Sequence, residues 1–188
     1  NKDKFTVTAT GSVSSITGQA GDTLNVRSST TLVNNWLINA DGSAQVKEGS
    51  TTYINKISGV GTINASVGAD NFTAAGTYNG TIKATQGIAV EDKNTLLTAN
   101  ADIVLGNTIS ANGIEGITEF NADGTTAQLK ASSAGAVNWT VTPGSGAGQL
   151  SGSVTDVTSG KNLSFSDFAT LVGGDNDDNF TLGAGTFN

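Results

Sequence analysis

Three carboxylates crowd into one short turn. In Gly173-Gly174-Asp175-Asn176-Asp177-Asp178-Asn179-Phe180, the side chains of Asp175, Asp177 and Asp178 fall between a glycine pair and an apolar residue. Calcium is a hard cation that takes carboxylate and carbonyl oxygens. These three aspartates are therefore the candidate calcium ligands, and no other cofactor is expected. Asn176 lies among them, and Asn tolerates left-handed backbone better than most residues. Paired carboxylates are the remaining chemical option, because glycoside cleavage needs an acid and a base or nucleophile. Asp167 with Asp175, or Glu115 with Glu119, are the pairs on offer. One Arg and no His leave little to polarise or position a sugar acid. Without Cys there is no thiol nucleophile and no thiolate metal site. Without His there is no imidazole base. The expectation is a protein that is not an enzyme. Lys+Arg number 9 against 16 Asp+Glu, for a net charge of −7. Nucleic acid is a poor partner for such a surface, because phosphate binding needs clustered cations.

The elements that carry these residues read as strands. Gly (25), Thr (27), Asn (19) and Ser (18) make up almost half of the 188 residues, and all are mediocre or poor helix formers. The best helical stretch, Glu91–Ala101, is weakened by Asn94, Thr95 and Thr98. Apolar and polar residues alternate instead over Phe5–Thr10, Leu24–Val26, Ile63–Val67, Ile82–Ala84, Ala127–Ala131, Val137–Val141, Leu163–Phe165 and Phe180–Leu182. Gly, Asn and Asp punctuate these runs at Gly18–Asp22, Ala40–Gly42, Gly59–Gly61, Ala122–Gly124 and Gly144–Gly148, where tight turns need left-handed backbone. The chain is expected to be all-β.

Two all-β architectures compete: tandem β-sandwich repeats and a parallel β-helix, or β-solenoid. Apolar clusters roughly 7–10 residues apart, few aromatics and many Gly/Asn/Asp corners favour the solenoid. At roughly 20 residues per coil, the chain would make about nine coils. Stacked Asn and Thr could form polar ladders from coil to coil. No run approaches the ~20 apolar residues of a spanning helix, so membrane insertion is not expected.

An internal repeat sharpens the picture. Asn35-Trp36-Leu37-Ile38 lines up with Asn138-Trp139-Thr140-Val141, and Gln45-Val46 then meets Gln149-Leu150. Downstream, Val67-Gly68-Ala69-Asp70-Asn71-Phe72-Thr73 matches Val172-Gly173-Gly174 followed by Asp178-Asn179-Phe180-Thr181. The second copy carries five extra residues between its Trp and its Phe. Trp36, Phe72, Trp139 and Phe180 are the expected repeat anchors, in landmarks spanning 35–73 and 138–181. Core packing is the favoured role of the two tryptophans, and a carbohydrate-stacking platform is the alternative. Asp3-Lys4-Phe5-Thr6 resembles the tail of a further copy. The domain reading is one elongated repeat domain over 1–188, a segment of a longer protein.

The Asn-Trp strand, the run Ser164-Phe165-Ser166-Asp167-Phe168-Ala169-Thr170-Leu171-Val172-Gly173-Gly174 and the following Asp178-Asn179-Phe180-Thr181 together resemble the β-strand repeats of large filamentous-haemagglutinin-like bacterial surface adhesins. The first copy, Ile54–Ile63, keeps only an Ile-rich echo of that run. The acidic turn is also similar to the calcium-binding nonapeptide of RTX proteins, although their ions sit between tandem turns and only one good copy occurs here. The adhesin resemblance implies a right-handed parallel β-helix, secretion to the bacterial cell surface, and a structural stalk or adhesive role. The implied contacts are a host or neighbouring cell surface, glycans, or biofilm partners. The first alternative is a subunit of a self-assembling extracellular filament, joined end to end by β-strand pairing. A polysaccharide-processing β-helix is third.

Overall fold

The computed structural model describes residues 2–8, 11–26, 33–85, 93–106, 108–132 and 135–187. Among these residues there is no helix. The strands of the first half are β1 (Lys4–Thr6), β2 (Ile16–Thr17), β3 (Thr23–Asn25), β4 (Asn34–Ile38), β5 (Ala44–Glu48), β6 (Thr51–Ser58), β7 (Thr62–Val67), β8 (Asp70–Ala74) and β9 (Thr81–Thr85). Then follow β10 (Thr95–Thr98), β11 (Asn100–Ile103), β12 (Ser110–Ala111), β13 (Ile114–Glu115), β14 (Glu119–Ala122), β15 (Gln128–Ala131), β16 (Val137–Pro143), β17 (Leu150–Asp156), β18 (Asn162–Phe168), β19 (Thr170–Val172) and β20 (Asn179–Leu182). The chain divides into two compact units, residues 1–95 with 112–116, and residues 96–111 with 117–188.

In the first unit, one sheet runs β1-β3-β7-β9-β13, with every neighbouring pair parallel. Its register lines up Phe5, Leu24, Ile63, Ile82 and Ile114 in a single row. Side chains alternate across a strand, so one apolar residue per strand suffices to build this row. Leu24, Ile63, Ile82 and Ile114 are all fully buried. The neighbouring position on the opposite face carries Asn25 and Asn64, and the Asn64 amide donates to Asn25 Oδ1 at 2.7 Å. This is one of the expected polar ladders. Asn71 donates to Asn35 Oδ1 at 3.2 Å in a second.

The other sheet of this unit runs β2-β6-β5-β4-β8. β2 and β6 are parallel, as are β4 and β8. Between them β4, β5 and β6 form an antiparallel meander. Its inward rows are Trp36–Val46–Ile54 and Ile38–Ala44–Ile57–Ile16. The β4–β5 turn is held by Asp41, whose Oδ1 accepts from the Ser43 N–H at 2.9 Å and from Ser43 Oγ at 2.6 Å.

The second unit repeats this mixed sheet strand for strand. Its larger sheet contains β14-β18-β17-β16-β20, again parallel at both flanks and antiparallel between β16, β17 and β18. The inward rows are Trp139–Val154–Leu163 and Val141–Gly152–Phe165–Phe120. A separate parallel sheet, β11-β15-β19, lines up Ala101, Leu129 and Leu171. Phe165 therefore occupies the place of Ile57, and Gly152 that of Ala44. The bulkier aromatic stands beside the smaller partner, as close packing requires.

Three sequence expectations change in detail. Antiparallel meanders interrupt the parallel stacking, so the sheets are mostly rather than wholly parallel. The repeat alignment shifts: Trp36 faces Val46, and Trp139 faces Val154 rather than Leu150. Five more residues separate Val141 from Gly152 than Ile38 from Ala44, so the insertion lies in the β16–β17 hairpin. Its tip is closed by Gly144 N donating to the Gln149 carbonyl at 2.7 Å. Finally, within Glu91–Ala101, residues 91 and 92 lie outside the described residues, and Thr95–Thr98 and Asn100–Ala101 are strand.

Candidate functional site

The four repeat anchors meet in pairs. Parallel pairing of β4 with β8 sets Trp36 opposite Phe72, with ring centroids 5.7 Å apart and planes 21° from parallel. Pairing of β16 with β20 sets Trp139 opposite Phe180, at 5.4 Å and 5°. Identical register and near-identical stacking show that the two landmarks are one packing unit used twice. The Phe165 ring meets Trp139 edge-on at 5.6 Å. Offset stacks and edge contacts of this kind add stability beyond area burial. Both tryptophans are buried.

The polar surroundings of the two stacks differ. Trp36 Nε1 donates to Asp70 Oδ1 at 3.2 Å, in a buried environment. Asp70 is itself buried, and its N–H donates to Asn94 Oδ1 at 3.1 Å. Asn94 Nδ2 continues to the Gly116 carbonyl at 3.1 Å. In the second unit Asp178 stands at the register of Asp70, but its carboxylate serves the backbone. Oδ1 accepts from Val137 N at 3.0 Å, and Oδ2 accepts from Gly174 N at 2.6 Å. Trp139 Nε1 is buried with no acceptor among the described residues. The sequence displayed the shared Asp-Asn-Phe that flags Asp70 and Asp178. It gave no sign that Asn94 would join the first group, because Asn94 is one of 19 asparagines in no repeated context.

The candidate calcium ligands are arranged accordingly. Asp175 and Asp177 are exposed, while Asp178 turns inward as a backbone clamp. Among the described residues, no group of three His, Cys, Asp or Glu side chains is placed to hold a metal ion.

Of the paired carboxylates, Asp167 holds a backbone contact. Asp167 is in left-handed backbone at φ 64°, where its counterpart Gly59 has φ 71°. Its Oδ1 accepts from Ser145 N at 2.6 Å, and its own N–H donates to Ser151 Oγ at 3.1 Å. It ties the long hairpin to β18. Glu115 belongs to the first unit and Glu119 to the second. A groove of about 290 Å³ is lined by Gly11, Ser12, Glu48, Thr51 and Tyr53. Its Tyr53 hydroxyl donates to the Val7 carbonyl at 3.1 Å, and Glu48 is the one acid among the described lining residues.

Other aspartates act as turn clamps. Asp22 accepts from Asp3 N at 2.9 Å and Gln19 N at 2.8 Å, and these donors hold its carboxyl below the ordinary range. Asp156 is lowered chiefly by the Ser159 N–H. Asp41 is lowered by Ser43 and then by Lys56, whose Nζ lies 3.0 Å from Oδ2. Burial pushes the Tyr78 hydroxyl up to about 12. The site residues thus position backbone and rings. No protein family, curated protein or solved structure matches this chain.

Proposed function

We propose that this chain is a structural stalk or adhesive segment of a secreted bacterial cell-surface adhesin. In this reading it forms a right-handed parallel β-helix of about nine coils, at roughly 20 residues per coil, which carries attachment contacts away from the cell. The observation that supports it is the strand-for-strand duplication around Trp36–Phe72 and Trp139–Phe180. A unit that recurs with the same register can be stacked indefinitely, each copy burying the open face of the last. Carboxylates clamp turns, and rows of Ile, Leu and Phe make the core. Such a chain gains reach from repetition. Its partners in this reading are host or neighbouring cell surfaces and their glycans.

A second reading is favoured by the exposure of β20. Here the chain is a subunit of an extracellular filament that joins end to end by strand pairing. Native mass separates the two. Antibodies against residues 1–188 should detect a surface polypeptide far larger than the 18.8 kDa of this chain, and its deletion should reduce attachment. A native band near that mass that polymerises would favour the filament. A band inside the cell would contradict both.

A further inference from the structure

The chain holds two Asn-Gly steps, Asn79–Gly80 and Asn112–Gly113. Both lie in the first unit. In such a step the carboxamide carbon can close a ring with the next backbone nitrogen, and glycine, lacking a Cβ, leaves that nitrogen unhindered. The structure treats the two steps differently. The peptide group between Asn112 and Gly113 is pinned, because its carbonyl accepts from Tyr78 N at 3.0 Å. The Asn112 carboxamide is held as well: Nδ2 donates to the Gly76 carbonyl at 3.2 Å, and Oδ1 is buried away from water. The peptide group between Asn79 and Gly80 is not pinned. Among the described residues, neither the Asn79 carbonyl nor the Gly80 N–H has a hydrogen-bond partner. Its neighbours on both sides are anchored. The Asn79 N–H donates to the Gly42 carbonyl at 3.1 Å, and the Thr81 N–H to the Gly61 carbonyl at 2.9 Å. A free peptide plane thus sits between two held ones, just ahead of β9. Asn79 is exposed, so water and hydroxide reach it, and its Nδ2 donates only a long 3.3 Å bond to the Asp41 carbonyl.

We propose that Asn79–Gly80 is a self-modification site at which the folded chain converts its own asparagine. Hydroxide takes the Gly80 N–H proton, and the nitrogen attacks Asn79 Cγ. The new N–Cγ bond forms as the Cγ–Nδ2 bond breaks, and Nδ2 leaves as ammonia with a proton from water. Water then opens the succinimide at either carbonyl, which gives aspartate or isoaspartate at position 79. Nothing is oxidised or reduced, and water is the only co-reactant. Either product alters the corner. Aspartate loses the donation to Asp41 and sets a carboxylate against that carbonyl oxygen. Isoaspartate lengthens the backbone between the anchors on Gly42 and Gly61. Gly80 has no room to absorb the extra length, since even a Cβ there would lie 2.7 Å from the Val60 carbonyl oxygen and 2.8 Å from that of Gly61. The step therefore loosens one corner of the stack as the chain ages. This inference does not rest on the adhesive role, so its failure would leave the test of native mass untouched.

Ageing the full folded chain in mildly alkaline buffer made with heavy-oxygen water tests the proposal. Peptide mapping by mass spectrometry should show residue 79 exchanging its amide for a carboxyl that carries the label. Electron-transfer fragmentation should find isoaspartate beside aspartate there. Conversion at Asn79 should outrun that at Asn112 by about fivefold or more, the factor that the Tyr78 bond alone supplies. In denaturant the two rates should converge, because the fold sets the difference. The melting temperature of the unsubstituted chain should fall in step with conversion, and that of Asn79→Gln should hold steady over the same period. An amide that persists at residue 79 in the folded chain would overturn the proposal. Equal or faster conversion at Asn112, or a rate ratio unchanged in denaturant, would overturn it as well.

Discussion

Trp36 donates its indole N–H to Asp70 across two parallel strands at 3.2 Å, and the ring of Phe72, two residues after Asp70, stacks on the same indole. One strand thus satisfies both the apolar and the polar need of one side chain. The equivalent strand β20 satisfies only the apolar need of Trp139.

That asymmetry gives a direct comparison. Trp36→Phe and Trp139→Phe remove the same indole ring from matched positions, so their packing losses are similar. Only the first also deprives the buried Asp70 of a donor. Trp36→Phe should cost about 1–3 kcal/mol more than Trp139→Phe. Denaturant unfolding of the two variants measures the difference. Equal losses would mean that the Asp70 bond contributes nothing net.

Close approach of backbone sets a second expectation. A Cβ on Gly61 would lie 1.8 Å from the Ala20 carbonyl oxygen, and one on Gly152 would lie 1.9 Å from that of Thr140. Both obstacles are backbone and cannot swing aside. Gly61→Ala and Gly152→Ala should each destabilise by about 1–3 kcal/mol or more, read as a fall in melting temperature. Gly49→Ala has open space but φ 58°, so it reports backbone strain alone and should cost less.

Stability should fall at both ends of the pH scale, for different reasons. Asp22, Asp41 and Asp156 have folded pKa values below the ordinary 3.8 because N–H and O–H donors hold the charged form. Their contribution is present above about pH 4 and is lost as pH falls through the lowered values. Tyr78 is raised from 10.0 to about 12 by burial. Its contribution is complete below pH 10 and is lost as pH climbs toward 12. Melting temperatures from pH 2 to 12 should show both declines. Tyr78→Phe should blunt the alkaline one, at the cost of the hydroxyl bond to the Val60 carbonyl.

The acidic turn can be tested with one ion and one substitution. Asp178→Ala removes the acceptor of Val137 N and Gly174 N, and should lower stability by about 1–3 kcal/mol. If Asp178 acts as this clamp, the loss should be the same with calcium or with chelator present. A calcium-dependent rise in melting temperature that Asp177→Asn abolishes would instead assign the turn to ion binding.

Strand identity was legible because alternation needs only local residues: Ile63-Asn64-Ala65 and Phe180-Thr181-Leu182 show it plainly. The recurrence of the Trp and Phe landmarks was legible as spacing, but the stacking of each Trp on its Phe was not, because it depends on the non-local pairing of β4 with β8 and of β16 with β20. The meander strands β5 and β17 were not. Ala44–Glu48 carries only two core residues, and Leu150–Asp156 is mostly Ser, Gly and Thr, so their order comes from the strands on either side. The shifted match of Val46 to Val154 was hidden by Gly144–Gly148, where low complexity allows several alignments. The roles of Asp41, Asp156 and Asp178 were hidden too, because a carboxylate that clamps backbone and one that binds calcium look alike in sequence.

In the proposed reading, this chain is built, and works, by stacking like upon like. Electron microscopy of the native surface material tests it most directly. The account predicts rods or fibres with an axial layer spacing of about 4.8 Å and a longer repeat set by the duplicated unit. Compact particles with no layer spacing along any axis would contradict it.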